Sequence, residues 1–165
     1  MPSDSVKIIP ANSSHVKEMT LLLMSAWHRN YGAAGEFYSA QQFTDPNYET
    51  QTGPYASVEQ FVQANAESIE NRLKPPFSAW LVHDGSNILG YAICEHTKHG
   101  VWINDVVVSP EHHREGIGRT LFDHILEQHR GKKMWIWVNA DNPAVDFWKK
   151  MGFKEVLKEV LMRRD

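Results

Sequence analysis

Hydrophobic residues recur along the chain with two different periods, three to four residues in some segments and two in others. The longer spacing predicts amphipathic helices over residues 16–27, 58–73 and 117–126. A fourth helix is predicted to begin at Asn142-Pro143, because Asn is a good N-cap and Pro suits the first helical position. Gly152 is expected to end this helix.

Short runs rich in β-branched and aromatic residues predict strands over residues 6–9, 78–83, 88–96, 101–108, 134–138 and 153–162. The element order is strand, two helices, three strands, helix, strand, helix, strand. This order predicts an α/β (α+β) layer architecture, in which a mixed, mostly antiparallel sheet is flanked by about four helices. The length of 165 residues predicts a single domain spanning 1–165.

Composition narrows the class of protein. No apolar run exceeds five residues, which is too short to cross a bilayer, and residues 1–5 are mostly polar, so we expect a cytoplasmic protein without a membrane partner. A net charge of -3 argues against a nucleic-acid partner. The single cysteine, Cys94, excludes an intramolecular disulfide and is expected to be a buried small hydrophobe. Scattered histidines without acidic or cysteine partners predict no metal site.

The segment from Val106 to Leu121 combines an apolar strand, a turn and a helix start, with Gly116 and Gly118 at the junction. Glycines let a ligand approach the backbone, and free N–H groups at a helix start favour an anion, which together can form a phosphate cradle. An ordinary strand-to-helix turn explains two glycines alone equally well. A dinucleotide fingerprint fails at Leu121, and a Walker loop fails at His113.

This segment resembles the acyl-CoA-binding motif of the GNAT superfamily, the acetyl-CoA-dependent N-acetyltransferases. Pro110, Gly116 and Gly118 match the motif, whereas His113 stands where the family prefers Arg or Gln. A second stretch, residues 142–153, resembles the family's Asn-containing helix that ends in Gly-Phe. The element order fits the family fold over nearly the whole chain, so the resemblance implies the GNAT fold.

The resemblance also implies a binding site for acetyl-CoA, in which the fourth and fifth strands part in a V around the pantetheine arm. The residues that it implies at the cofactor are Val106, Val107, Val108, His113, Arg114, Glu115, Gly116, Ile117, Gly118, Arg119, Thr120, Asn139, Asn142 and Trp148. Asn142 is explained equally well as a helix cap. Trp148 is expected to form an apolar wall beside the pantetheine arm. The apolar positions Ile103, Val106 and Val108 break the period of two, which predicts a β-bulge in the fourth strand.

Amide formation sets the chemical requirement. An alkyl amine must lose a proton before attack, which costs ~4.6 kcal/mol at pH 7, whereas the thiolate leaves more easily. A general base therefore matters more than an acid, and Glu95 and Asp105 are the candidate bases; each also fits as a structural carboxylate. Many relatives have a general-acid Tyr where this chain has Trp148, and some have a carboxylate on the fifth strand, where Ile136 and Trp137 stand.

The sequence thus predicts an N-acetyltransferase that moves an acetyl group from acetyl-CoA directly to a primary amine in a ternary complex. One alternative is a non-catalytic acyl-CoA-binding or regulatory module, and another is a protein N-terminal or lysine acetyltransferase. The acceptor is a small-molecule or peptide amine, and a homodimer is left open. Residues 1–82 carry five basic and eight acidic side chains, and aromatic residues crowd residues 27–55, which favours a cationic amine next to an aromatic or apolar group.

Overall fold

A computed structural model describes residues 6–30, 58–138 and 142–157 of the chain. Its centre is a five-stranded sheet with the strands in sequential order: β1 (Lys7–Pro10), β2 (Phe77–His83), β3 (Ile88–Thr97), β4 (Gly100–Val108) and β5 (Met134–Ile136). The first four strands are antiparallel, and β5 lies parallel to β4. The predicted mixed, mostly antiparallel sheet is confirmed.

Four α-helices of the described residues cover both faces of this sheet. One face is covered by α1 (Val16–Asn30) and α2 (Val58–Asn71), and the other by α3 (Ile117–Gln128) and α4 (Ala144–Lys150). The four predicted helices are confirmed. The aromatic residues between α1 and α2 lie in 31–57, outside the described residues. No helix in the described ranges is both long and apolar enough to cross a membrane.

The strand β3 contributes to both hydrophobic cores, because successive residues of a strand point to opposite faces. Tyr91 and Ile93 pack with α1 and α2, whereas Ala92 and Cys94 pack with α3 and α4. Cys94 is fully buried, as expected, and burial raises the pKa of its thiol to about 12. The central strands are therefore held rigidly between two helical layers.

Two predicted strands differ from the structure. The strand predicted over 134–138 ends at Ile136, and residues 153–157 form no strand; the rest of the predicted last strand, 158–162, lies outside the described residues. Phe153 instead closes the end of α4, where its N–H donates to the carbonyl of Trp148 at 3.0 Å and its ring lies 5.3 Å from the indole. Aromatic packing, and not sheet pairing, thus fixes this residue.

Candidate functional site

The strand β4 contains a β-bulge at Asn104. Ile93 of β3 lies opposite Asp105, but the next residue, Cys94, lies opposite Ile103, so Asn104 is the extra residue. The predicted bulge is confirmed.

The short strand β5 pairs only with the first part of β4. Their register runs from Val101–Met134 to Ile103–Ile136 and stops there, one residue before the bulge. Residues 104–108 therefore have no partner on the β5 side among the described residues. An open strand edge presents N–H and C=O groups, and an extended ligand with amide groups can pair with it.

The turn after β4 contains two left-handed residues and leads into the free backbone N–H groups at the start of α3. Arg114 and Gly116 have positive φ angles of 69° and 88°, and Gly116 directly precedes α3. Left-handed residues in a turn make the successive N–H groups converge on an anion. The first N–H groups of α3, from Ile117 to Arg119, have no acceptor within the helix and lie at the positive end of its dipole.

The two glycines, Gly116 and Gly118, are favoured at their positions for different physical reasons. Gly116 has open space around it, but its φ of 88° strains any residue with a side chain. Gly118 has ordinary helical geometry, and a Cβ there would lie 3.6 Å from Phe147 and from Val108, at normal contact distance. The internal packing of the protein therefore does not require glycine at position 118, whereas close approach of a ligand to the backbone would.

Most of the residues expected at the cofactor lie together along this edge and turn. They are Val106, Val107 and Val108 on the open edge, and His113, Arg114, Glu115, Gly116, Ile117, Gly118, Arg119 and Thr120 in the turn and the first turn of α3. Nε2 of His113 lies 3.2 Å from the carbonyl oxygen of Val108 and ties the turn to the strand. The buried face of α3, with Leu121 and Ile125, holds the helix on the sheet.

Three other predicted cofactor residues stand apart. Oδ1 of Asn142 accepts a hydrogen bond from the Ala144 N–H at 2.8 Å. Asn142 therefore caps α4, which is the alternative to a role in cofactor binding. Asn139 lies outside the described residues. Trp148 is only 6% exposed, between the rings of Phe122, Phe147 and Phe153. This packing explains the indole without a ligand, and its role as a wall beside the cofactor stays a prediction.

Asp105, one of the two candidate bases, lies on the open part of β4 and faces the α1/α2 side. Its Oδ2 accepts a hydrogen bond from Nη1 of Arg72 at 2.5 Å, and both side chains are mostly buried, at 19% and 22% exposed. Burial raises the pKa of Asp105, and the Arg72 guanidinium opposes that shift. The result is a carboxylate held in one orientation, with its basicity increased by its surroundings.

Glu95, the other candidate, lies on the same face but farther from the opening. It is opposite Trp102 in the β3–β4 register and opposite Phe77 in the β2–β3 register. Glu95 and Trp102 line a cleft of about 320 Å³ together with Thr97, Ile103, Asn104 and Trp137. Within the described part of the chain, no hydrogen bond or ion pair engages the Glu95 carboxylate.

The opposite face carries a histidine cluster, which we define as His96, His124 and His129. The His129 ring lies 4.8 Å from the His96 ring, and Trp80 contacts both His124 and His129. Nε2 of His124 and Nε2 of His129 are buried without a partner among the described residues. Within 6–30, 58–138 and 142–157, no group of three His, Cys, Asp or Glu side chains is arranged to hold a metal ion.

Comparison with known proteins identifies the family. The sequence profile of the "Acetyltransferase (GNAT) domain" family matches residues 75–155, from the start of β2 to just past α4. This chain carries a GNAT acetyltransferase domain. The family recognised from the two sequence motifs is confirmed.

The relatives of this GNAT domain are distant. A segment of 56 residues is 38% identical to part of the mycothiol acetyltransferase of Clavibacter sepedonicus. This segment makes up 34% of this chain and 18% of that protein. The PaiA N-acetyltransferase of Thermoplasma acidophilum, solved in complex with coenzyme A, superposes with a TM-score of 0.68 at 15% identity, over 91% of this chain and 90% of that one. The ribosomal-protein-S18-alanine N-acetyltransferase of Escherichia coli superposes with a TM-score of 0.61 at 15% identity, over 92% of this chain and 79% of that one. At such low identity, the two solved structures establish the fold.

Sequence reasoning missed two residues of the candidate site. Arg72 is 33 residues from Asp105 along the chain, and no local pattern links the two. Phe147 belongs to the second recognised motif, and only the structure reveals that its ring faces Gly118.

Proposed function

We propose that this chain binds acetyl-CoA where β4 and β5 part and transfers its acetyl group directly to a primary amine. The observation that carries the proposal is the open β4 edge, followed by a turn that leads into the free backbone N–H groups at the start of α3. The pantetheine arm of the cofactor has amide groups that suit a strand edge, and its pyrophosphate suits a helix N-terminus. When bound, acetyl-CoA supplies an activated thioester.

The residues of this chain fit such a ligand. Val106, Val107 and Val108 would pair with the pantetheine arm, and the free N–H groups from Ile117 to Arg119 would hold the pyrophosphate. The cradle is built from backbone, so the departure at His113 from the family's Arg or Gln removes no donor of the main chain. The side chain of His113 supports the turn through its contact with Val108.

We assign the general base to Asp105. It is on the part of β4 that lacks a β5 partner, where an acceptor amine would meet the thioester. Glu95 lies on β3 instead, opposite Trp102, which is in the part of β4 that pairs with β5. A carboxylate with a raised pKa accepts a proton more readily at neutral pH than an ordinary one. Arg72 is a positioning residue, because it holds Oδ2 in place and leaves Oδ1 for the amine or for an intervening water.

Transfer proceeds without an acyl-enzyme intermediate. Cys94, the single cysteine of the chain, is buried, and its raised pKa of about 12 keeps it as an unreactive thiol. Trp148 stands where relatives have an acidic Tyr, and an indole cannot protonate a thiolate. Since thiolate departure is the easier half of the reaction, solvent supplies this proton.

Binding of acetyl-CoA is the primary test. A saturating ligand at ~100 times its dissociation constant stabilises the fold by ~2.7 kcal/mol, which is visible as a rise in Tm. Gly118→Val should abolish the rise in Tm caused by acetyl-CoA. Gln128→Val places the same side chain at an exposed position of α3 and should retain that rise. If no acyl-CoA shifts the Tm of the wild-type protein, the proposed function is wrong.

A non-catalytic acyl-CoA-binding module is the second candidate, and Trp148 in place of Tyr is the observation that favours it. Release of free CoA thiol from acetyl-CoA in the presence of an amine panel separates the two functions. Adding N-terminal and lysine-containing peptides to the panel tests the protein-acetylating alternative in the same assay.

A further inference from the structure

Three tryptophans form a stack of nearly parallel indole rings beside the opening between β4 and β5. We call Trp102, Trp135 and Trp137 the indole ledge. The ring of Trp102 lies 5.8 Å from that of Trp135 and 6.1 Å from that of Trp137, with interplanar angles of 26° and 10°. Trp137 is 60% exposed, an unusual state for so large an apolar side chain. Trp102 and the exposed Trp137 both line the neighbouring cleft, so a molecule that enters it meets indole rings.

A carboxylate stands beside this surface. Glu95 lies directly opposite Trp102, and both line the cleft of about 320 Å³. The described residues that line this cleft include no Lys, Arg or His. The cleft therefore combines a negative charge with the electron-rich face of an aromatic ring, and both attract a cation.

The shape of the ledge selects among cations. A guanidinium is planar, so it can stack flat on an indole and at the same time donate two parallel hydrogen bonds to a carboxylate. An ammonium ion is compact and strongly hydrated, and it gains less from a flat surface. A neutral planar group can stack but cannot pair with Glu95.

We propose that the acceptor is a primary amine joined to a guanidinium, with the guanidinium bound between Glu95 and the indole ledge. This assignment rests on the proposed acetyl transfer and gives Glu95 a role in acceptor recognition. The reacting amine then lies near Asp105, which is three residues along β4 from Trp102. Because Asn104, one of the residues between them, is in the bulge, the distance along β4 from Trp102 to Asp105 is roughly 7–10 Å. A linker of about four methylene groups spans it.

The test compares three acceptors of matched length with acetyl-CoA as donor: (4-aminobutyl)guanidine, the neutral planar (4-aminobutyl)urea, and pentane-1,5-diamine. We expect kcat/KM for the guanidine to exceed that for the urea by at least tenfold, with the diamine between them. Glu95→Gln and Trp137→Leu should each shrink the guanidine-to-urea ratio, mainly through KM of the guanidine. Glu127→Gln, which removes an exposed carboxylate on α3, should leave the ratio unchanged.

The outcomes separate the two proposals. Equal kcat/KM for guanidine and urea, or a preference for 2-phenylethylamine over both, overturns the guanidinium site while acetyl transfer still stands. If no amine is acetylated, the proposed catalysis is wrong, and the site is tested directly by equilibrium binding of (4-aminobutyl)guanidine, followed by tryptophan fluorescence. Absence of saturable binding to the wild-type protein, or the same affinity in Trp137→Leu, overturns the proposal.

Discussion

Nη1 of Arg72 donates a hydrogen bond to Oδ2 of Asp105 and thereby joins the end of α2 to β4 beside the bulge. The pair lies where the sheet opens, and both side chains are mostly buried. It therefore links the α1/α2 layer to the carboxylate that we assign as general base.

Replacing Arg72 with Met should lower stability and change the pH dependence of activity. The buried Asp105 carboxylate would lose its counter-ion, so the free energy of unfolding at pH 7.5 should fall by about 2 kcal/mol. The same loss raises the pKa of Asp105 further, so the acidic limb of the kcat profile should move to higher pH. Urea denaturation and a pH–rate profile measure the two effects.

The matched control is Arg119→Met. Arg119 pairs with Asp123 at 3.5 Å, but both side chains are more than half exposed, so its loss should change stability by less than about 0.5 kcal/mol. Equal effects of the two substitutions would contradict the importance of burial at Arg72. An unchanged acidic limb in Arg72→Met would contradict Asp105 as the base.

The two candidate carboxylates should differ in which kinetic constant they control. Asp105→Asn removes the proposed base and should lower kcat by ~10²-fold or more, with little change in KM. Glu95→Gln should instead raise KM for a cationic acceptor, since it removes a binding contact. Steady-state kinetics with a saturating donor distinguish the two. A large loss of kcat in Glu95→Gln alone would move the base to Glu95.

The histidine cluster should make the protein less stable in mild acid. Burial and the nearby His96, Lys132 and His124 lower the pKa of His129 in the folded state. The unfolded chain therefore binds the proton more readily, so stability is fully present above pH ~6.5 and is lost as the pH falls below it. Urea denaturation of wild type at pH 7.5 and 5.5 measures the difference.

In His129→Phe this pH dependence should be smaller, because the ring that resists protonation is gone while its contacts with Trp80 and His96 are retained. His99→Gln, at an exposed position in the β3–β4 turn, serves as the control and should behave as wild type. An equally steep loss in His129→Phe would show that other groups cause the acid sensitivity.

Trp148 should matter for stability more than for chemistry. Trp148→Ala should cost about 3–5 kcal/mol, because it empties a buried site between three phenylalanine rings. Trp148→Phe should keep kcat within ~10-fold, since no acid is lost. A hundredfold lower kcat in the Phe variant, with unchanged acetyl-CoA affinity, would assign the indole N–H a chemical role.

Local patterns predicted the elements but not the contacts between them. Apolar spacing placed three helices, and the Asn142-Pro143 start placed the fourth. The broken period at Ile103, Val106 and Val108 predicted the bulge that the β3–β4 register shows at Asn104. The pairing of Arg72 with Asp105 depends on how α2 packs over the sheet, which no local pattern encodes. The indole ledge likewise needs the parallel register of Trp102 with Trp135.

The last strand was predicted wrongly in its first five residues because β-propensity describes a half-buried pleated surface. Phe153 satisfies that pattern, yet it finds its apolar partners in Trp148 and Phe122 and ends the helix instead. Trp148 was predicted beside the cofactor by position in the family motif. The motif contains Phe147 and Phe153, but the contact of Trp148 with Phe122 of α3 follows from tertiary packing that the motif does not encode.

The open edge of β4 also bears on solubility. Among the described residues, the three consecutive valines of β4 have no strand on their β5 side. Such an edge is a template to which a strand of another molecule can add, the first step of edge-to-edge aggregation. A ligand that occupies this edge would act as a substitute strand and block the addition. Purified protein stored without acyl-CoA should accordingly form aggregates sooner than protein stored with it, and light scattering over days would record the protection.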